Sequence, residues 1–461
     1  MLQNYDLLVL GAGPGGYVAA IRASQLKMKV AIIEKDKPGG VCLNIGCIPS
    51  KALIHQAELF RSINDLKALG VQIDLSQFDY SKVIAKSRKA ADVLSKGVNY
   101  LLKKNNIDLI MGTGILTGKN EITLNDGKVI TGKNIIISTG SKPKSINGFN
   151  FNHRTIISST DALLLEKLPK SILILGAGAI GVEFAHIMNA FGVEVHLVEM
   201  LKTILPIEDQ DTVQVLDKSF RKRGINILTS TKALSVSEEN NLLKVSLEEN
   251  SLKQVIEVEK MLVSVGRTAN ITDIGLANVG VEIEKGFIKV GNYYQTNVTN
   301  IYAVGDIINT PQLAHVASKE GEIAVEHLAG LNPEPKIDLQ IIPSGTYCEP
   351  QIASFGYTEQ KAKENGIPYK TVSFPYRGAG KSVAIEKSEG IVKILYSPDS
   401  KEIIGAHIVG AEATELIHEI LLARSAELLP EDIAKMIHIH PTLSESIMEA
   451  MRAVNNWAIH I

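Results

Sequence analysis

The sequence predicts an α/β protein with two Rossmann-like dinucleotide-binding units and a separate C-terminal α+β domain. Three observations predict it. A glycine-rich turn follows the first apolar strand, a second turn of the same design recurs far downstream, and the pattern changes after Pro333 and Pro335. With 461 residues the chain has room for roughly three domains at about 150 residues each. Hydrophobic residues make up 45% and charged residues 21%, which suits packed cores rather than a disordered chain. The 48 basic and 50 acidic residues leave a net charge of −2 with no basic run. That balance favours neither nucleic acid nor a membrane surface as partner.

The first unit begins with the buried strand Leu7–Leu10, turns through Gly11-Ala12-Gly13-Pro14-Gly15-Gly16, and continues as a helix to about Gln25. A second strand, Val30–Ile33, ends at Glu34. The later copy runs Ile172–Leu175, Gly176-Ala177-Gly178-Ala179-Ile180-Gly181, a helix, then Val195–Val198 ending at Glu199. In both copies the acid stands 23 positions after the first glycine, from 11 to 34 and from 176 to 199. The first glycine permits the tight turn, the second lets a phosphate reach the backbone, and the third lets helix and strand pack closely. Pyrophosphate then meets free N–H groups at the helix N-terminus, and the acid accepts from ribose hydroxyls.

Between the units, Ile135–Ile137 leads through Ser138-Thr139-Gly140-Ser141 to Lys142-Pro143 as a strand leaving the first domain. Residues 240–265 alternate as strand, with Leu243, Val245 and Leu247 on one face, and end at Val265-Gly266-Arg267. The strand Ile301–Val304 ends at Gly305-Asp306, and a helix is expected over Ala314–Leu328. Beyond the prolines, strands near Ser354–Tyr357, Lys370–Pro375, Gly390–Tyr396 and Glu402–Val409 suggest an antiparallel sheet. Helices near Glu412–Glu427 and Pro430–Met436 follow it. The expected domains are 1–143, 144–266, a central segment 267–337, and 338–461.

The cysteines are Cys42, Cys47 and Cys348. Three are too few for a stapled secreted fold. Cys42 and Cys47 lie in Gly39-Gly40-Val41-Cys42-Leu43-Asn44-Ile45-Gly46-Cys47-Ile48-Pro49-Ser50-Lys51. Five positions on a regular helix hold two sulfurs too far apart to bond, but Gly46 and Pro49 allow an irregular turn. Two buried free thiols would explain the spacing equally well. A helix N-terminus and the nearby Lys51 would favour a reactive thiolate. Cys348 has no partner left and is expected as a reduced thiol.

These segments together resemble the FAD-dependent pyridine nucleotide–disulfide oxidoreductases, and the likeness covers essentially the whole chain. The order is a first dinucleotide unit, the cysteine segment, a second unit, Val304-Gly305-Asp306, and a C-terminal domain carrying His438-Ile439-His440-Pro441-Thr442-Leu443-Ser444-Glu445. Val41 departs from the threonine usual in the family. Within the family the segments are most similar to the enzymes that oxidise dihydrolipoamide.

The resemblance implies a Cys42–Cys47 disulfide, with Cys42 exchanging with the dithiol substrate and Cys47 facing the flavin. It implies His440 as acid–base catalyst, held by Glu445, and Lys51 near the flavin in a pair with Glu183. FAD would be held by Gly11, Gly13, Gly16, Glu34, Lys51, Gly114, Thr139, Gly140, Asp306 and Ala314. NAD would be held by Gly176, Gly178, Ile180, Gly181, Glu183, Glu199, Ala233, Gly266 and Arg267. No metal is expected. The C-terminal domain would be a dimerisation interface, with His440 serving the partner subunit's active site in a homodimer. A lipoyl-bearing acyltransferase or a glycine-cleavage carrier protein would supply the substrate.

Two other readings compete. One is an NADPH-dependent disulfide reductase of the same family. Glu199 opposes it, because a carboxylate suits a ribose 2′-hydroxyl and repels a 2′-phosphate, although Lys202 works the other way. The other is a non-catalytic flavoprotein subunit, which intact Cys42, Cys47, His440 and Glu445 oppose. No signal peptide is visible, and the apolar stretch Leu7–Ile21 is interrupted by glycine and proline. A bacterial cytoplasmic protein is expected, without membrane insertion and without nucleic acid; a processed organellar protein is the alternative.

Overall fold

The computed structural model describes residues 4–460. Its first domain is built on β1 (Asn4–Leu10), whose last four residues are all buried. A strand apolar on both faces belongs in the middle of a parallel sheet covered on each side. Accordingly β1 pairs in parallel with β2 (Val30–Glu34) on one side and with the long strand β6 (Val129–Ile137) on the other. The strand β3 (Asp108–Met111) extends the sheet beyond β2, and the antiparallel pair β4 (Gly114–Gly118) and β5 (Glu121–Leu124) extends it beyond β6. Strand β6 is long enough to serve two neighbours on one edge. Its first half pairs with β5, and its last three residues pair in parallel with Ile301–Ala303. The central segment of the chain therefore completes the sheet of the first domain.

Helix α1 (Pro14–Gln25) starts with proline at its first position, where the missing N–H costs no intrahelical bond. The short α2 (Gly40–Ile45) stops at Gly46, and α3 (Cys47–Ala68) restarts at once. Antiparallel to α3 runs α4 (Tyr80–Lys104), capped by Asp79, which accepts from the Ser81 N–H, and closed by Lys103 and Lys104 against the helix dipole.

The second unit has a five-stranded parallel sheet in the order Asn226–Leu228, Glu194–Val198, Ser171–Leu175, Lys260–Val263, Ile156–Ile157. The alternating stretch 240–265 is not one strand. It comprises Leu242–Glu249 and Leu252–Val258, which form an antiparallel meander with Thr231–Glu239, and then Lys260–Val263, which joins the parallel sheet. Asn250 and Ser251 both have positive φ, the pair of conformations a two-residue hairpin needs. Leu243, Val245 and Leu247 are buried, as their alternation predicts.

The C-terminal domain is a five-stranded antiparallel sheet in the order Ser344–Thr346, Gln351–Gly356, Ile403–Gly410, Ile391–Tyr396, Lys370–Pro375. Helices Ala413–Ser425, Pro430–Lys435 and Glu445–Val454 accompany it. The last was not expected from the sequence. Buried Ile447, Ala450, Met451 and Val454 show its apolar face, and Phe374 and Ile394 of the sheet share its core.

Candidate active site

Both glycine turns have the geometry that the spacing implies. A Cβ on Gly16 would stand 1.9 Å from the Gly11 carbonyl oxygen, and one on Gly181 would stand 1.9 Å from that of Gly176. The first and third glycines are thus fixed by packing. Nothing lies within 4 Å of a Cβ on Gly178, and only the Gly40 Cα, at 4.0 Å, approaches one on Gly13. The second glycine of each turn leaves the backbone open to a ligand. The acids close the turns in the same way. Glu34 accepts from the Ala12 N–H at 2.7 Å and the Asp36 N–H at 2.9 Å; Glu199 accepts from the Ala177 N–H at 2.8 Å and the Leu201 N–H at 2.9 Å.

Around the first turn the structure gathers Thr139, Gly140, Gly114, Asp306 and Ala314. Asn270 ties Thr139 and Gly140 in place with three bonds of 2.7 to 3.0 Å, a role nothing in the sequence announced. Gly114 packs against Leu10 and Ile33, so its backbone borders the ends of β1 and β2. Asp306 accepts a short bond from the Ser141 hydroxyl. Ala314 opens the helix Ala314–Leu328, which packs on α1. Around the second turn, Ser264 bonds the Gly176 carbonyl at 2.9 Å, the Thr231 N–H bonds the Glu199 carbonyl at 2.9 Å, and Ala233 follows in that strand, half-buried. Ile180 is partly buried in the core below, and Gly266 takes a positive φ just beyond Ser264.

The cysteines meet at the break between α2 and α3. A Cβ on Gly46 would fall 2.8 Å from the Val41 carbonyl oxygen, so only glycine makes this turn. Both side chains are partly buried. The two thiols are neighbours that bias each other's ionisation in opposite directions. The contact with Cys42, with help from the Lys51 ammonium, outweighs burial and lowers Cys47 to about 7. Cys42 is pushed up, by the same contact and by burial. Lys51 binds both oxygens of Glu183, at 2.8 and 3.1 Å, and lies 4.2 Å from the centre of the Tyr347 ring. The Tyr347 N–H also bonds Glu183, at 3.0 Å. All three domains meet at this point.

His440 stands on the C-terminal domain, where Nδ1 faces Glu445 Oε1 at 2.9 Å. Burial raises the Glu445 carboxyl, but the Thr442 N–H and His440 outweigh it and hold it below its usual range. The His440 side chain is 77% exposed, and its neighbours Ile437 and Ile439 are 96% and 79% exposed. His438 is buried instead, on Glu419 at 2.9 Å, which fits a structural residue. Cys348 is buried, and its thiol donates to the Pro350 carbonyl.

The model of the pyridine nucleotide-disulphide oxidoreductase family matches residues 5–321, and that of its dimerisation domain matches 342–451. The chain belongs to this family. It is 40% identical to the dihydrolipoyl dehydrogenases of Bacillus subtilis and of Corynebacterium glutamicum, with 100% of both chains covered in each comparison. The crystal structure of LpdA from Mycobacterium tuberculosis has a TM-score of 0.90 at 26% identity, over 98% of this chain and 100% of that one. The flavoprotein disulfide reductase RclA from Escherichia coli shares the fold, with a TM-score of 0.87 at 24% identity.

As a pyridine nucleotide-disulphide oxidoreductase the protein uses FAD and NAD(H), and the two glycine turns fit those groups. Glu183 forms the pair with Lys51 that the resemblance implies, and Arg267 bonds toward the first unit. The carboxylate of Glu183 is committed to Lys51 and the Tyr347 N–H, on the side of the cysteines. The guanidinium of Arg267 bonds Ser141 Oγ at 2.6 Å and the Ser141 carbonyl at 2.8 Å, and stands 3.8 Å from Asp306. Arg267 therefore braces the flavin-side turn. Its position in the sequence beside Gly266 gave no sign of this, because the strand pair Arg267–Ala269 and Ser141–Pro143 folds back across the first domain. Among the described residues no helix is long and apolar enough to cross a membrane.

Proposed function

We propose that the protein oxidises the dithiol of a dihydrolipoyl group on a carrier protein, with NAD⁺ as final acceptor. The contact of Cys42 and Cys47 at the head of α3, with Lys51 beside them, carries this reading. The full-length likeness to dihydrolipoyl dehydrogenases supports the substrate.

In the oxidised protein the two sulfurs would be bonded to each other. A substrate thiolate attacks Cys42, and Cys47 leaves as a thiolate. Cys47 is the sulfur that tolerates the negative charge, because Cys42 and Lys51 hold its pKa at about 7. The second substrate thiol then displaces Cys42, which releases the cyclic disulfide and leaves Cys42 and Cys47 as a dithiol. Each step needs a proton removed from a substrate thiol, whose pKa is about 8.5 or above. His440 has the geometry for it: with Nδ1–H donated to Glu445, its Nε2 is the free acceptor. FAD, when bound, takes the electron pair from the reduced thiols and delivers a hydride to nicotinamide. Gly11, Gly13, Gly16, Glu34, Thr139, Gly140 and Asp306 would hold it. NAD would lie on Gly176, Gly178, Gly181 and Glu199.

The dimerisation domain supports a homodimer. In it His440 would serve the cysteines of the partner subunit, and the exposed Ile437 and Ile439 beside it support a covered surface. The acyltransferase or glycine-cleavage carrier belongs to the same proposal, as does a bacterial cytoplasmic location. NADH formation from dihydrolipoamide and NAD⁺ by the flavin-loaded protein tests it. Robust turnover is expected, with a loss of at least about a thousandfold in Cys42→Ser, where no disulfide can form. Turnover only with NADPH and another disulfide would overturn the substrate and leave the fold and family standing.

A further inference from the structure

The helix Ala314–Leu328 carries a buried acid that the reaction does not use. Glu320 is 0% exposed, and its Oε2 accepts from the Gly305 N–H at 2.7 Å. Gly305 has φ +77°, and a Cβ there would stand 3.2 Å from that of Ala317, so the turn before Asp306 is pressed onto this helix. On the far side of the turn Asp306 binds the Ser141 hydroxyl and faces Arg267 at 3.8 Å. The turn is thus gripped from two sides, by Glu320 on Gly305 and by Ser141 and Arg267 on Asp306. The Thr310 hydroxyl faces the same carboxyl. Glu320 lines a cavity of about 320 Å³ with Thr310, Tyr294 and Val316.

We propose that Glu320 is a positioning residue for the flavin-binding turn, holding the Gly305 amide and thereby fixing where the Asp306 carboxylate stands. This rests on the reading of Asp306 as a flavin ligand. A buried amide left without its acceptor loses a bond to a charged group, so the turn would relax toward the cavity when Glu320 is removed. The acid is suited to a second effect. Burial, reinforced by the nearby Asp306, raises the Glu320 carboxyl to about 7 despite the Gly305 N–H. Its charge therefore changes near neutral pH, beside the residue that it positions. Asp306 faces it across the turn, Tyr294 and Thr310 line the cavity with it, and Glu284, Lys285, Lys289 and Lys336 line the same cavity.

The test uses the flavin-loaded homodimer and follows FAD release by flavin fluorescence, together with the flavin reduction potential, from about pH 6 to about pH 8. Glu320→Ala is expected to release FAD at least about tenfold faster. Glu320→Gln keeps an acceptor for Gly305 and is expected to restore release to within about twofold of the parent. Should Glu320→Ala fail to fold, Glu320→Asp decides, since its shorter side chain withdraws the acceptor from the Gly305 N–H: FAD release as slow as the parent's in that variant overturns the proposal. Asp306→Ala separates the two readings. If it retains FAD normally, the assignment of Asp306 fails; if it loses FAD while Glu320→Ala does not, the positioning role fails.

Discussion

The two dinucleotide units share one design and differ in what covers it. Their glycine turns and clamping acids superpose in kind down to the bonds: one backbone N–H on each carboxylate oxygen of Glu34 and of Glu199. Each turn is met by a returning segment, with the Gly39 N–H on the Ala12 carbonyl and the Leu205 N–H on the Ala177 carbonyl, both at 2.8 Å, but the first turn is met by a second one. Gly40 at the head of α2 comes within 4.0 Å of a Cβ on Gly13, and Gly321 of the helix Ala314–Leu328 sits so close to α1 that its Cβ would fall 2.6 Å from the Gly15 carbonyl oxygen. Over Gly178 there is nothing within 4 Å. A covered turn suits a group that stays; an open one suits a group that must leave after every turnover. The loop sequence specifies what kind of molecule binds, and the neighbours decide how long it remains.

The largest effect is expected where a methyl group cannot fit. Gly16→Ala and Gly181→Ala each place a Cβ 1.9 Å from a carbonyl oxygen, so helix and strand must separate. Overpacking of this kind costs about 1–3 kcal/mol or more, roughly tenfold to a hundredfold in binding. Gly16→Ala should purify largely without flavin. Gly181→Ala should retain flavin and still be reduced by dihydrolipoamide, while its KM for NAD⁺ rises at least about tenfold. Flavin content and single-turnover reduction check both. Loss of flavin from Gly181→Ala would show that the units are not independent.

A coupling between them does exist, at Lys51 and Glu183, and its effect should be intermediate. Lys51 follows the cysteines on α3, and Glu183 belongs to the helix of the second unit. Lys51 lowers the Cys47 thiol and Glu183 opposes it. The thiolate is present above about pH 7 and lost below it. Lys51→Met is expected to move that titration upward by about one unit, and Glu183→Gln to move it downward by less. Thiolate absorbance of the reduced protein, followed against pH, measures both. Shifts of the same sign would mean that Glu183 acts on Cys47 only by holding Lys51.

What the sequence revealed and what it hid follow from the range of the interactions. The glycines, Glu34 and Glu199 were legible because each works within a short stretch whose residue types a turn and a phosphate dictate, whereas Cys42, Cys47 and the His440–Glu445 pair were reached only through the family resemblance. The Lys51–Glu183 pair was reached through the family resemblance, whereas the bonds of Arg267 to Ser141 had no local sign, because the two residues lie more than a hundred positions apart and approach only through domain packing. Asn270 and Tyr347 act through long-range contacts of the same kind, and no local pattern marks them. The helix Glu445–Val454 carries no local start signal, since its N-cap residue Ser444 makes no side-chain cap bond. The hairpin at Asn250-Ser251 was hidden by polar residues that alternate as readily in a turn as in an exposed strand.

Tyr347 offers the smallest and most selective change. Its N–H on Glu183 belongs to the backbone and survives any substitution, so Tyr347→Leu removes only the ring 4.2 Å from Lys51. An ammonium against an aromatic face is worth about 0.5–1 kcal/mol at a partly exposed site, a factor of roughly two to five. Lys51 keeps its charge and its two bonds to Glu183, so the Cys47 titration should move upward by less than in Lys51→Met, with flavin content and the KM for NAD⁺ unchanged. A shift as large as that of Lys51→Met would mean that the ring, not Glu183, sets the position of the ammonium. The third domain would then be an active part of the redox centre, and the contrast between a covered first unit and an open second one would have to include it.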